Sequence, residues 1–152
     1  MINKNPLLNN WNTPYKLAPF DKILDSHFSE AIEKAIAEEL QEIQDICENP
    51  DPPNFENTIH ALLNSGKSLE RVLSVFYTLV SAESNSQREK LMMAFSPKLA
   101  SHSSKITSNE KLFRRIREIF EQIDSLNLLP EEYRLLEKIY QDYVRAGAAL
   151  DK

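Results

Sequence analysis

Apolar side chains recur along this chain at three- and four-residue spacing, the period that buries one face of an α-helix. Phe28, Ile32, Ala35, Ile36, Leu40, Ile43 and Cys47 form one such stripe, with Glu33, Lys34, Glu38, Glu42 and Asp45 on the other side. They predict a first helix, capped by Asp25 or Ser26 and ending near Cys47. Leu69, Val72, Leu73, Phe76, Leu79 and Val80 predict another, which fades in the polar run 81–86. Leu91, Met92, Phe95, Leu99, His102 and Ile106 mark a helix over about 86–106. Pro97 lies in its middle, so a kink or a split is expected there. Leu112, Phe113, Ile116, Phe120 and Ile123 define a helix over about 109–124, capped by Ser108 or Asn109. Pro130 at a first helical position opens the last helix, whose apolar side is Tyr133, Leu136, Ile139, Tyr140, Tyr143 and Val144.

Between the first two stripes lies the stretch Asn49–Gly66, NPDPPNFENTIHALLNSG. Pro50, Pro52 and Pro53 stop the preceding helix at about Asn49, because a proline disfavours the α conformation in the residue before it. Asn54 stands where an N-cap belongs, Glu56 follows in the first turn, and Phe55, Ile59, Leu62 and Leu63 share a face. Gly66 supplies the stop. This reads as a rigid corner with a short helix over about 54–64.

Residues 1–24 hold no sustained period. Pro6, Pro14 and Pro19 alternate with Leu7, Leu8, Trp11, Tyr15, Leu17 and Phe20, which predicts an extended strap packed across the helices, the alternative being a partner-binding tail. No segment alternates with period two for long enough to be a strand. The expected fold is all-α: about six mostly antiparallel helices (25–152) behind the strap, in a single domain over 1–152. The last stripe runs into Ala148–Ala149–Leu150 with no capping residue in view, which reads as a helix cut short and the chain as a piece of something larger.

Composition narrows the function. The formal net charge of −5 leaves no electrostatic footprint for nucleic acid. No window approaches a membrane span, the N-terminus has no signal-peptide core, and the lone Cys47 excludes an intrachain disulfide, so a cytoplasmic location is expected. Candidate chemistry is sparse. His27 with Glu30, and Glu56 with His60, are the only His–carboxylate pairs at helical spacing, and a zinc site needs three or four ligands. His102 lies on an apolar face and reads as a core histidine. Cys47 reads as a small buried hydrophobe, and Ser101, Ser103 and Ser104 sit in no nucleophile motif. Two glycines cannot build a phosphate loop. Lys111, Arg114, Arg115 and Arg117 form the only basic cluster, and interleaved Glu110, Glu118 and Glu121 make it a solvated helix face with Arg114–Glu118 and Arg117–Glu121 pairs. Tyr133, Tyr140 and Tyr143 read as core. No catalytic, cofactor-binding or metal residue is assigned.

Several short runs, in order, resemble the N-terminal region of thimet-type zinc metallopeptidases, in particular their peptidyl-dipeptidase (dipeptidyl carboxypeptidase) branch. They are Asn5–Pro6–Leu7–Leu8 with Trp11, Thr13–Pro14–Tyr15, Pro19–Phe20–Asp21 and the corner Asn49–Ile59. Farther on come Ser96–Pro97–Lys98–Leu99–Ala100 with His102, Leu112–Phe113, and Val144–Arg145–Ala146–Gly147–Ala148. Ser29–Glu30 and Leu63–Asn64 depart from the pattern but keep helix-compatible residues. The resemblance implies zinc-dependent hydrolysis of oligopeptides with release of C-terminal dipeptides. Zinc would be held by a His-Glu-x-x-His helix and a later glutamate, neither of which occurs here. It further implies that this segment forms the wall or lid of a substrate channel, with the remainder of the same polypeptide as partner. An oligopeptidase A-type fragment and a non-enzymatic helical interaction domain are the alternatives.

Overall fold

A computed structural model describes residues 4–147 and is all-α. Helices α1 (His27–Glu48), α2 (Ala61–Asn64), α3 (Lys67–Ala82), α4 (Ser86–Thr107), α5 (Glu110–Phe120) and α6 (Pro130–Arg145) carry the fold. Single 3-10 turns lie at Pro6–Leu8, Pro14–Lys16, Phe20–Lys22 and Ile123–Ser125. The contacts group into two compact units. The first holds the chain up to Glu39 with Gly66–Leu99; the second holds Leu40–Ser65 and the chain from Ala100. Helices α1 and α4 supply residues to both.

The first unit closes around Leu7, Phe28, Ala31, Ile32, Val72 and Phe76. Phe76 sits edge-on to Phe28 at 5.0 Å and to Phe95 at 6.1 Å, the arrangement that aligns ring edges with ring faces. The strap joins this core through Leu7 in its first half and Ile23 in its second, with Leu8, Trp11 and Ala18 packed against it. Asn5, itself buried, accepts from the Leu7 N–H at 3.1 Å and donates to the His27 carbonyl at 2.8 Å. Leu7 is fully buried, worth about 2 kcal/mol of apolar transfer. Trp11 donates to the Pro6 carbonyl at 2.9 Å, and the Arg71 guanidinium lies 4.9 Å from its ring centroid. Asp25, expected as a helix cap, gives its carboxylate to Arg88 Nε (2.9 Å) and Asn85 Nδ2 (3.3 Å). Arg88 also donates to the Leu79 carbonyl at 3.2 Å and to the Glu83 carbonyl, closing the α3–α4 connection.

Helix α4 runs through Pro97 without a split. The carbonyl that Pro97 deprives of its helical donor belongs to Met93, on an exposed face of the helix. Met92, expected inward, is exposed.

In the second unit Ile43, Ile46, Ile59, Leu112, Ile116 and Leu136 form the core. Helix α5 packs on α6, with Phe113 stacked on Tyr140 (5.7 Å) and Tyr143 (6.4 Å) and Phe120 on Tyr140 (4.0 Å). Asn109 caps α5 by accepting from Leu112 N–H at 3.0 Å. Glu132 accepts from the Leu129 N–H at 2.9 Å ahead of Pro130. Helix α5 is shorter than expected; Ile123 belongs to the separate 3-10 turn. Helix α6 stops at Arg145, with Ala146 as cap and Gly147 at φ 89°. That left-handed glycine is a stop signal which the sequence reading overlooked. Ala148–Leu150 lie outside the described residues.

Candidate functional site

The proline corner is the most completely specified polar structure in the second unit. Asn54 and Asn57 cap each other: Asn54 Oδ1 accepts from the Asn57 N–H at 2.8 Å, and Asn57 Oδ1 from the Asn54 N–H at 2.9 Å. This reciprocal pair satisfies two backbone donors that a helix start leaves orphaned. The expected short helix begins as a π-turn, Phe55–His60, before continuing as α2. In this wider register adjacent Thr58 and Ile59 are both fully buried. The Ser65–Gly66 step then turns the chain, with Gly66 at φ 70°, a conformation glycine adopts without strain; a Cβ there would displace the flexible Glu39 carboxylate.

Arg115 fixes this corner from α5. It is 8% exposed and donates from Nε to Thr58 Oγ1 (3.2 Å) and from Nη1 to the Asn49 carbonyl (3.0 Å). Nη2 reaches Asn57 Oδ1 (3.1 Å), and both Nη atoms share the Asp51 carbonyl at 3.3 and 3.4 Å. The expectation of a solvated basic face therefore holds for Lys111, Arg114 and Arg117, which are exposed, but not for Arg115. Its position was the available signal: three residues after Leu112 and four before Ile119, it lies within the buried stripe. Arg117 and Glu121 approach to 3.9 Å, an exposed pair of little energetic weight.

Two open clefts flank this part of the second unit. One, of about 400 Å³, is lined by Glu42, Asp45, Asn49, Asn57, Asn64 and Ser65. The other, of about 360 Å³, is lined by Cys47, Glu48, Lys105, Asn109 and Lys111. Burial raises the Cys47 thiol above its ordinary range; Arg115, Lys111 and the hydrogen bond to Asn109 oppose this without reversing it. A thiol so held is a poor nucleophile at neutral pH.

The histidines are not brought together into a site. Leu24 N–H donates to His27 Nδ1 at 3.0 Å, while Glu30 accepts from Asn5 at 3.2 Å, so each serves the strap. Glu56 and His60 form an exposed pair at 2.6 Å, with Phe55 edge-on to His60 at 5.0 Å. His102 is buried. Asp124 raises the Tyr133 hydroxyl above its ordinary range, chiefly by its charge. Among the described residues no group of three or more His, Cys, Asp or Glu could hold a metal ion. The zinc site that the resemblance implies does not fit these residues. No described helix is long and apolar enough to cross a membrane.

No protein-family profile matches the chain. Among curated proteins, a dipeptidyl carboxypeptidase of Salmonella typhimurium is 39% identical over 149 residues, 98% of this chain and 22% of the relative. A dipeptidyl carboxypeptidase of Escherichia coli is 38% identical over 150 residues, 99% of this chain and 22% of the relative. An oligopeptidase A of Escherichia coli is 24% identical over 148 residues, 97% of this chain and 21% of the relative. The chain thus spans about a fifth of the length of the curated relatives it matches, and corresponds to their N-terminal part. The resemblance read from the sequence is borne out, and the dipeptidyl carboxypeptidases are the nearer of these two kinds of peptidase.

Proposed function

We propose that this chain is the N-terminal helical segment of a zinc-dependent peptidyl-dipeptidase of the thimet type, acting in the cytoplasm on oligopeptides. The observation that carries the proposal is a match over 98% of the chain, at 39% identity, to a dipeptidyl carboxypeptidase. The segment performs no chemistry itself. It forms a wall or lid that controls access of short peptides to a catalytic part farther along the same polypeptide. Zinc, when bound there, would polarise the scissile carbonyl and acidify a water; its ligands lie outside these residues. Rigidity supports the wall reading, because a channel selects by size only if its sides hold their shape. The Asn54–Asn57 box and the Arg115 clasp supply that rigidity at the corner.

The test is hydrolysis of a blocked oligopeptide. The purified 152-residue chain is expected to release no dipeptide with or without added zinc, whereas the full product of its native coding frame does so and loses activity to a chelator. Chelator-sensitive hydrolysis by the 152-residue chain would overturn the division of labour.

A further inference from the structure

The second half of the strap presents a concentration of apolar surface that nothing in the chain's own packing explains. Tyr15 is 94% exposed, Leu24 61%, Leu17 60% and Phe20 44%. Scattered exposed leucines are ordinary, but four large apolar side chains within ten residues mark an interaction surface. Leu7 in the first half is fully buried and Trp11 is held by Pro6 and Arg71, while Ile23 anchors the second half to the same core and leaves these four side chains outward. The backbone beneath the exposed half is also held in a disfavoured form: Tyr15 and Lys16 have φ of 58° and 55°, the left-handed region that residues with a Cβ avoid. Local hydrogen bonds from Thr13 Oγ1 to the Leu17 carbonyl and from Lys16 N–H to the Thr13 carbonyl keep it there.

Size decides between candidate occupants. Large aromatic side chains carry roughly 150–250 Å² each and leucines no more, and these four are already partly covered, so the apolar area they offer is well below the ~800 Å² per partner that a freely formed interface buries in all. A tethered partner escapes that requirement, because the tether holds it at high effective concentration. More than three quarters of the length of the dipeptidyl carboxypeptidase relatives lies beyond the matched part. We infer that the exposed side chains of Tyr15, Leu17, Phe20 and Leu24 form the seat on which the following, catalytic part of the same polypeptide docks, through an apolar patch whose rim carries carboxylates facing Lys16 and Lys22. Exposed Lys16 and Lys22 outnumber Asp21 on this stretch, which sets that sign. The inference rests on the proposed function and adds the surface through which the two parts meet.

The experiment compares the 152-residue chain with the full product of its coding frame, each with and without Leu17→Asp combined with Leu24→Asp. Hydroxyl-radical oxidation of Tyr15 is expected to be severalfold slower in the full product. The double variant should lower the melting temperature of the full product by several degrees and leave that of the 152-residue chain unchanged. Equal oxidation of Tyr15 in the two proteins, with the full product hydrolysing peptides, overturns the docking surface and leaves the function standing. Concentration-dependent dimers of the 152-residue chain that the double variant abolishes would assign the surface to a second copy and overturn it too. A coding frame that stops at Lys152 removes both readings.

Discussion

Replacing Arg115 by methionine isolates the polar clasp on the proline corner, because methionine keeps most of the aliphatic stem. The wild-type side chain makes three well-formed hydrogen bonds, to Asn49 O, Asn57 Oδ1 and Thr58 Oγ1, at 3.0, 3.1 and 3.2 Å. The shared Asp51 contacts at 3.3 and 3.4 Å are weaker. Hydrogen bonds from a charged donor contribute about 1.5–3 kcal/mol each when the acceptor is sealed from water. Only Thr58 is sealed; Asn49 is half-buried and Asp51 exposed, so water can replace part of what is lost. Asn57 Oδ1 keeps the Asn54 N–H and the Thr58 hydroxyl as donors. Desolvation of the guanidinium, relieved in the variant, reduces the net loss further. The expected destabilisation is therefore about 2–3 kcal/mol, less than the sum of the bonds. For a chain of this size that corresponds to a fall in Tm of about 5–10 °C. Circular dichroism at 222 nm during urea and thermal unfolding gives the assay, with exposed Arg114→Met as control, expected within about 0.5 kcal/mol of wild type. An Arg115→Met variant as stable as the control would refute the clasp as a source of corner rigidity.

In the first unit, Arg88→Ala should cost about 1–3 kcal/mol, because Arg88 and Asp25 are only 15% and 17% exposed and Arg88 also serves the α3 C-terminal carbonyls; equal melting curves would remove this tie. Gly66→Ala should destabilise by about 1 kcal/mol through its φ of 70° alone, read by urea midpoint. Cys47 should react with iodoacetamide more slowly than free cysteine at pH 8, with a rate that rises at a higher pH, since burial raises its pKa. The sign for stability follows: any contribution from the neutral thiol is present below the ordinary value of 9.0 and is lost as pH rises through the raised folded value. Reaction as fast as free cysteine would contradict that burial.

The helices were legible because their apolar stripes are long and their boundaries carry explicit chemistry. Asn54, Asn109 and Pro130 were readable as starts, and each stands where its side chain or ring predicts. The π-turn was not readable, since a shift from four- to five-residue hydrogen bonding changes no residue type. Arg115 was misread because local charge pairing with glutamates outweighed its place in the stripe. Its acceptors lie 57 to 66 residues away, and convergence over that separation leaves no trace in a single sequence. Gly147 is a different case: helix α6 ends at Arg145, and the glycine two residues on takes the left-handed φ of a stop signal. The strap divides as its composition does not, with Leu7, Trp11 and Ile23 packed and Tyr15, Leu17, Phe20 and Leu24 exposed. The proposed function is legible through the ordered family runs alone; among the described residues no cluster of titratable side chains points to it.

The most direct measurement for the central claim is to read the native coding frame beyond Lys152. Several hundred further codons containing a His-Glu-x-x-His helix and a later glutamate are expected. A stop codon immediately after Lys152 would contradict that claim and leave a helical domain without a catalytic partner on its own chain.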